Sequence, residues 1–146
     1  MDYDALAVEL LENMHALRKA RMQKDMEEGL QGEKRVLHFI ANRGDNVQPG
    51  DIVQDMQVSA ARIAQTLNGI EKKGLIIRHI DNSDRRRILI TITPEGIDLA
   101  EAHMRNQMQS TAEMLRLLGE NDAREHVRIM GRLAALMSEE NKSQEG

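Results

Sequence analysis

The chain has no cysteine, no tryptophan, one tyrosine (Tyr3), one phenylalanine (Phe39) and two prolines in 146 residues. Without cysteine there can be no disulfide, no thiolate metal site and no thiol redox switch. Two aromatic side chains are too few for the stacking platforms on which single-strand and RNA binders hold bases, so a nucleic-acid partner would be a duplex. No apolar run is long enough to span a bilayer. The start, Met1-Asp2-Tyr3-Asp4, lacks the basic-then-apolar order of a secretory signal. A cytoplasmic chain with no membrane partner is expected. No phosphate-binding glycine loop and no nucleophile with a matching histidine partner stand out, so neither catalysis nor a cofactor is expected.

What the chain does have is charge, unevenly placed. The net charge is −4, yet residues 59–93 hold seven Lys/Arg against three acids, a local +4 that leaves −8 elsewhere. Cationic charge gathered on one segment of an acidic chain favours oriented docking on a polyanion over indiscriminate sticking.

The apolar pattern is helical except in one place. Leu6, Leu10, Met14 and Leu17 recur at helical spacing over about residues 4–28, and Gly29 and Gly32 interrupt that helix. A second helix carries Val36, Leu37 and Ile40 and stops near Asn42-Arg43-Gly44. Val47-Gln48 has room for a minimal strand. Pro49 then opens a short helix with Ile52 and Met56 one turn apart. Gln57-Val58 forms a tight connection to Ser59, an N-cap for a helix ending at Gly74. Two short helices so joined outline a helix-turn-helix, although glycine or asparagine would suit the Gln57 position better.

The exception is residues 76–92. Isoleucine-rich arms, Ile76 to Ile80 and Ile88 to Ile92, flank the polar tip Asp81 to Arg87, which carries three consecutive arginines. This is a β-hairpin, and a lone hairpin must lean on neighbouring helices. Thr93 and Pro94 then start a long helix with the stripe Ile97, Ala100, Met104, Met108, Ala112 and Leu115, broken at Gly119. The last helix spaces Val127, Met130, Ala134 and Met137 by three and four, a short coiled-coil-like seam, before a polar tail.

On the helix from Ser59, Ile63, Leu67 and Ile70 share one face and should be buried. The opposite face collects Ala61, Arg62, Gln65, Thr66, Gly69 and Lys72. Arg62 and Gln65 suit guanine and adenine edges, since each can make two hydrogen bonds to one base. Small Ala60 and Ala61 allow close approach, and backbone N–H groups at the Ser59 end can take a phosphate. Gly69 leaves room for a phosphate or a thymine methyl. Arg85, Arg86 and Arg87 are tip cations suited to a narrow minor groove, and Asp84 paired with an arginine fork would fix that side chain's direction.

With these residues in view, the chain resembles the MarR (multiple antibiotic resistance regulator) family of bacterial transcription factors. The family's wing signature is Asp-x-Arg, five residues, then Leu-Thr. Here it reads Asp84-Arg85-Arg86, five residues, then Ile92-Thr93, with isoleucine for leucine. Leu67 to Ile76 (Leu-Asn-Gly-Ile-Glu-Lys-Lys-Gly-Leu-Ile) and Thr93-Pro94-Glu95-Gly96 are similar to the family too. Where many relatives carry Ser/Thr-Arg, this chain has Ala64-Gln65.

The resemblance implies a mainly α chain with a small β-hairpin wing. A winged helix-turn-helix lobe over residues 31–93 would be flanked by dimerisation helices over 1–30 and 94–141, with a frayed tail at 142–146. It implies that the Ser59 helix reads the major groove of double-stranded DNA while Arg86, braced by Asp84, enters the minor groove. It implies a homodimer, with the Leu6–Leu17 stripe and the Val127–Met137 seam meeting a second copy, on a pseudo-palindromic operator. Repression is the family default, and since family members commonly sense a small molecule, the resemblance implies release by a small effector, apolar or phenolic in character. Ten methionines can repack around such a guest, but the pocket residues stay unassigned.

Two rival readings remain. A metal-responsive version would need His15, His38 and His103 to converge, and Glu12 with His15 has the Glu-x-x-His spacing of di-iron bundles without the second copy such sites require. A winged-helix adaptor that docks proteins and not DNA would have no need of the cationic tip.

Overall fold

The protein is described by a computed structural model over residues 1–25 and 31–144. The elements are α1 (Tyr3–Asp25), α2 (Gln31–Arg43), α3 (Pro49–Met56), α4 (Ala60–Lys72), β1 (Ile76–Ile80), β2 (Ile88–Ile92), α5 (Pro94–Leu118) and α6 (Glu120–Gln144). This is a winged helix-turn-helix: mainly helical, with a small antiparallel hairpin between helices.

Local chemistry sets most of these boundaries. Gly44, Gly74 and Gly119 end α2, α4 and α5 in the left-handed region, at φ of 79°, 74° and 79°, where a Cβ would be penalised. Ser59 Oγ accepts the Arg62 N–H at 3.2 Å at the start of α4, and Thr93 Oγ1 accepts the Gly96 N–H at 3.1 Å at the start of α5. Each satisfies one of the orphan donors of a first helical turn. Gly32 lies inside the first turn of α2 and does not interrupt a helix. Gly29 and the expected end of the first helix fall outside the described residues. The last helix also runs through Asn141 to Gln144, where a frayed tail was expected, and Ser143 Oγ donates to the Glu139 carbonyl at 3.0 Å.

Two compact units divide the chain, Met1–Glu101 and Ala102–Gly146. The core of the first draws Val36, Leu37 and Ile40 from α2, Ile52 from α3, and Ile63, Leu67 and Ile70 from α4, with Val47, Leu75, Ile76, Ile90 and Ala100. Each large aliphatic side chain so buried contributes roughly 1.5–3 kcal/mol. The hairpin is in register Ile76↔Ile92, Arg78↔Ile90, Ile80↔Ile88. Val47 adds a single bridge to Ile90, in the place the sequence allowed for a minimal strand.

Among the described residues of the second unit, only His103 is buried. α6 carries no buried residue. Val127, Met130 and Met137 are more than half exposed and Ala134 is exposed as well. Ile129, Leu133 and Leu136 form a further exposed apolar stripe that sequence periodicity had not separated. In the first unit, every side chain of α1 up to Met22 is exposed, including Leu6, Leu10, Met14 and Leu17. No helix among the described residues is long and apolar enough to cross a membrane.

Candidate nucleic-acid interface

The turn between α3 and α4 begins with a backbone that few side chains adopt willingly. Gln57 has φ 51° and ψ 43°, and its N–H donates to the Val53 carbonyl at 2.9 Å. The reversal turns α4 so that Ile63, Leu67 and Ile70 enter the core. Ser59, Ala60, Ala61, Arg62, Gln65 and Lys72 are left in solvent. Thr66 departs from the expectation of a free polar group. It is half-buried, and its hydroxyl donates to the Arg62 carbonyl at 3.0 Å, so only its lone pairs remain to meet a ligand.

Gly69 departs as well. A Cβ at this residue would lie 3.0 Å from Glu33 Oε1. The space that the sequence suggested for a phosphate or a methyl group is taken by a carboxylate from α2.

The wing tip is held by short-range polar bonds. Asp81 N–H donates to the Arg87 carbonyl and Arg87 N–H to the Asp84 carbonyl, both at 3.0 Å. Asp81 Oδ1 accepts the Ser83 N–H at 3.0 Å and the Ser83 hydroxyl at 2.8 Å. These bonds from Ser83 hold the Asp81 carboxyl below the ordinary aspartate range. Asp84 Oδ1 accepts the backbone N–H of Arg86 at 3.0 Å. It therefore shapes the loop through the main chain and not through an arginine fork. Arg85, Arg86 and Arg87 are all exposed; Arg87 Nε lies 3.9 Å from Asp81 Oδ2.

The seven basic residues of this segment thus fall into two groups. Lys73 is paired with Glu33 at 2.7 Å, Arg87 is near Asp81, and Arg78 is bonded to both Glu71 and Asn68. The Arg78 guanidinium holds the Glu71 carboxyl below its usual range. Arg62, Lys72, Arg85 and Arg86 have no carboxylate partner among the described residues. Free cations are left at both ends of α4 and at the wing tip.

Sequence reasoning missed the Arg78–Glu71–Asn68 group. The one available signal was an acid at the end of a helix followed by an arginine in the next strand, and spacing alone does not show that their side chains meet. As for metal ligands, His103 is buried, and Asn42 Nδ2 lies 3.0 Å from His38 Nε2. Among the described residues no three His, Cys, Asp or Glu side chains gather closely enough to hold an ion.

The sequence model of the MarR family matches residues 30–87. The chain is similar to the uncharacterized HTH-type transcriptional regulator YwhA of Bacillus subtilis, 28% identical over 140 residues that cover 92% of this chain and 99% of the relative. Its fold is that of FabT from Streptococcus pneumoniae, solved in complex with DNA (TM-score 0.69, 18% identity, 97% and 99% of the two chains). MepR of S. aureus, also solved with DNA, is similar too (TM-score 0.65, 21% identity, 91% and 96%).

Proposed function

We propose that the chain, whose residues 30–87 match the sequence model of the MarR family, is a DNA-binding transcriptional regulator of that family, and that it binds a pseudo-palindromic operator in the cytoplasm as a homodimer and represses transcription there. The α4 helix enters the major groove, with Arg62 and Gln65 at base edges and Ser59, Ala60, Ala61, Thr66 and Lys72 against backbone or groove walls. The tip, Asp84 to Arg87, takes Arg86 into the minor groove. The two half-sites lie roughly one helical turn, ~10 bp, apart.

The observation that carries this reading is the division of cations. Pairing within the fold removes Lys73 and Arg78 and leaves Arg62, Lys72, Arg85 and Arg86 open, on the helix and loop that a duplex would meet. The exposed apolar residues of α1 and α6 support self-association: Leu6, Leu10, Met14 and Leu17 on one helix, Val127, Met130, Ala134 and Met137 on the other. Exposed Met104 and Met108 on α5 suit an adaptable apolar contact with a small effector that releases DNA, which requires the effector to favour one arrangement over the other.

Selection from random duplexes at moderate salt tests the reading and should enrich a two-fold symmetric motif. Arg86→Ala should weaken binding to it and lower the salt dependence by about one counterion, whereas Gln65→Ala should change base preference. Recovery of no motif would favour the protein-docking alternative.

A further inference from the structure

We propose that Arg78 is a positioning residue for DNA recognition: by tying β1 to the second half of α4, it fixes the angle between the wing and the recognition helix. The inference rests on the DNA-binding reading above.

The geometry is a fork across two elements. Arg78 Nε donates to Glu71 Oε2, and Nη2 donates to Asn68 Oδ1 at 2.7 Å. The two acceptors are three residues apart on α4, hence on one face. The Arg78 side chain is 28% exposed and that of Glu71 40%, so the pair is more shielded than an ordinary surface ion pair. Lysine cannot replace it, because one ammonium lacks the planar pair of donors that spans both acceptors.

Its place in the hairpin gives the fork its effect. On the face that carries Ile76, successive rungs are Ile76↔Ile92, Arg78↔Ile90 and Ile80↔Ile88. Ile76 and Ile90 are buried, whereas Ile80 is 61% and Ile88 45% exposed. On the opposite face Leu89 is buried but its partner His79 is not. Arg78 is therefore the last residue of β1 that the body of the lobe holds, and everything from Ile80 to Ile88 projects beyond it. At about 3.3 Å per strand residue the tip extends roughly 10–15 Å past this rung, so a rocking of about 10° would move Arg86 by roughly 2 Å. That is enough to take a guanidinium out of hydrogen-bond reach of a base or phosphate.

A double-mutant cycle on the selected operator separates positioning from contact and from bulk stability. Arg78→Ala should weaken specific binding about tenfold while leaving the salt slope unchanged. In an Arg86→Ala background, where the tip no longer reaches the groove, the same change should cost less than about threefold. Arg78→Lys should not restore affinity. Asn68→Ala, which removes one acceptor from an exposed side chain, should reproduce the pattern at about threefold and serves if Arg78→Ala does not fold. Equal losses in both backgrounds, or a salt slope lowered by about one counterion in Arg78→Ala, would overturn the proposal in favour of a general structural role or a direct phosphate contact. Failure of the unmodified protein to select any operator would instead overturn the DNA-binding reading itself.

Discussion

Replacing Gly96 with alanine tests how the wing is rooted. A Cβ there would lie 2.2 Å from the Leu75 carbonyl oxygen and 2.7 Å from Ile92 Cγ1. Carbon and oxygen ordinarily approach no closer than about 3.3 Å, so the two backbones must part by roughly 1 Å. The nearer obstacle is main chain, which cannot rotate away. The same carbonyl accepts the Thr93 N–H at 3.0 Å, and the Thr93 hydroxyl donates to the neighbouring Gly74 carbonyl at 2.7 Å. Overpacking costs ~1–3 kcal/mol and a stretched hydrogen bond about 1 kcal/mol more. The better helix propensity of alanine returns at most ~1 kcal/mol. With that return in full, the net loss is about 1–3 kcal/mol, or roughly 2–12 °C in Tm for a chain of this size. Gly50, in the first turn of α3, has no heavy atom within 4 Å of its would-be Cβ, so Gly50→Ala should be neutral or stabilise by up to ~1 kcal/mol. Urea denaturation followed by circular dichroism, at matched protein concentration, measures both. If Gly96→Ala unfolds within about 0.5 kcal/mol of the unmodified protein, the close-approach reasoning is wrong.

Three further outcomes are expected. Gln57→Gly should raise the denaturation midpoint by the equivalent of about 0.5–1 kcal/mol, because φ 51° is strained for glutamine and open to glycine; no rise would show that the side chain holds the turn by some other contact. Glu71 is depressed in the fold by Arg78, so its contribution is complete above the ordinary glutamate pKa of about 4.3 and is lost as pH falls through the lower folded value. The stability gap between the unmodified protein and Glu71→Gln should accordingly hold constant at neutral and mildly acid pH and close in stronger acid; a gap insensitive to pH would refute the assignment. Met130→Glu, like Leu10→Glu, should shift the sedimenting species toward the monomer, and an unchanged mass would remove these two faces from the proposed dimer seam.

How much of this was legible in the sequence depends on how far apart the interacting residues lie. Gly44, Pro49, Ser59, Gly74, Thr93 and Gly119 mark element ends in the sequence because a cap or a left-handed turn is a property of a few adjacent residues. The buried triad of Ile63, Leu67 and Ile70 followed from helical period alone. Long-range partners did not. Glu33 lies beneath Gly69 and reaches Lys73, 40 positions away, so a glycine that spacing suggested as open room is filled from another helix. Asp84 was expected to brace an arginine side chain and instead accepts a backbone N–H two residues on, a choice among competing donors that composition cannot make. A frayed tail was expected at the polar end of the chain, and α6 is helical as far as Gln144.

Val47 changes what sort of object the hairpin is. Its carbonyl takes the Ile90 amide at 2.7 Å, so at this one residue β2 has neighbours along both edges, although the ribbon itself has only two strands. To open past Ile90, the hairpin would have to break this second-edge bond as well as its own rungs.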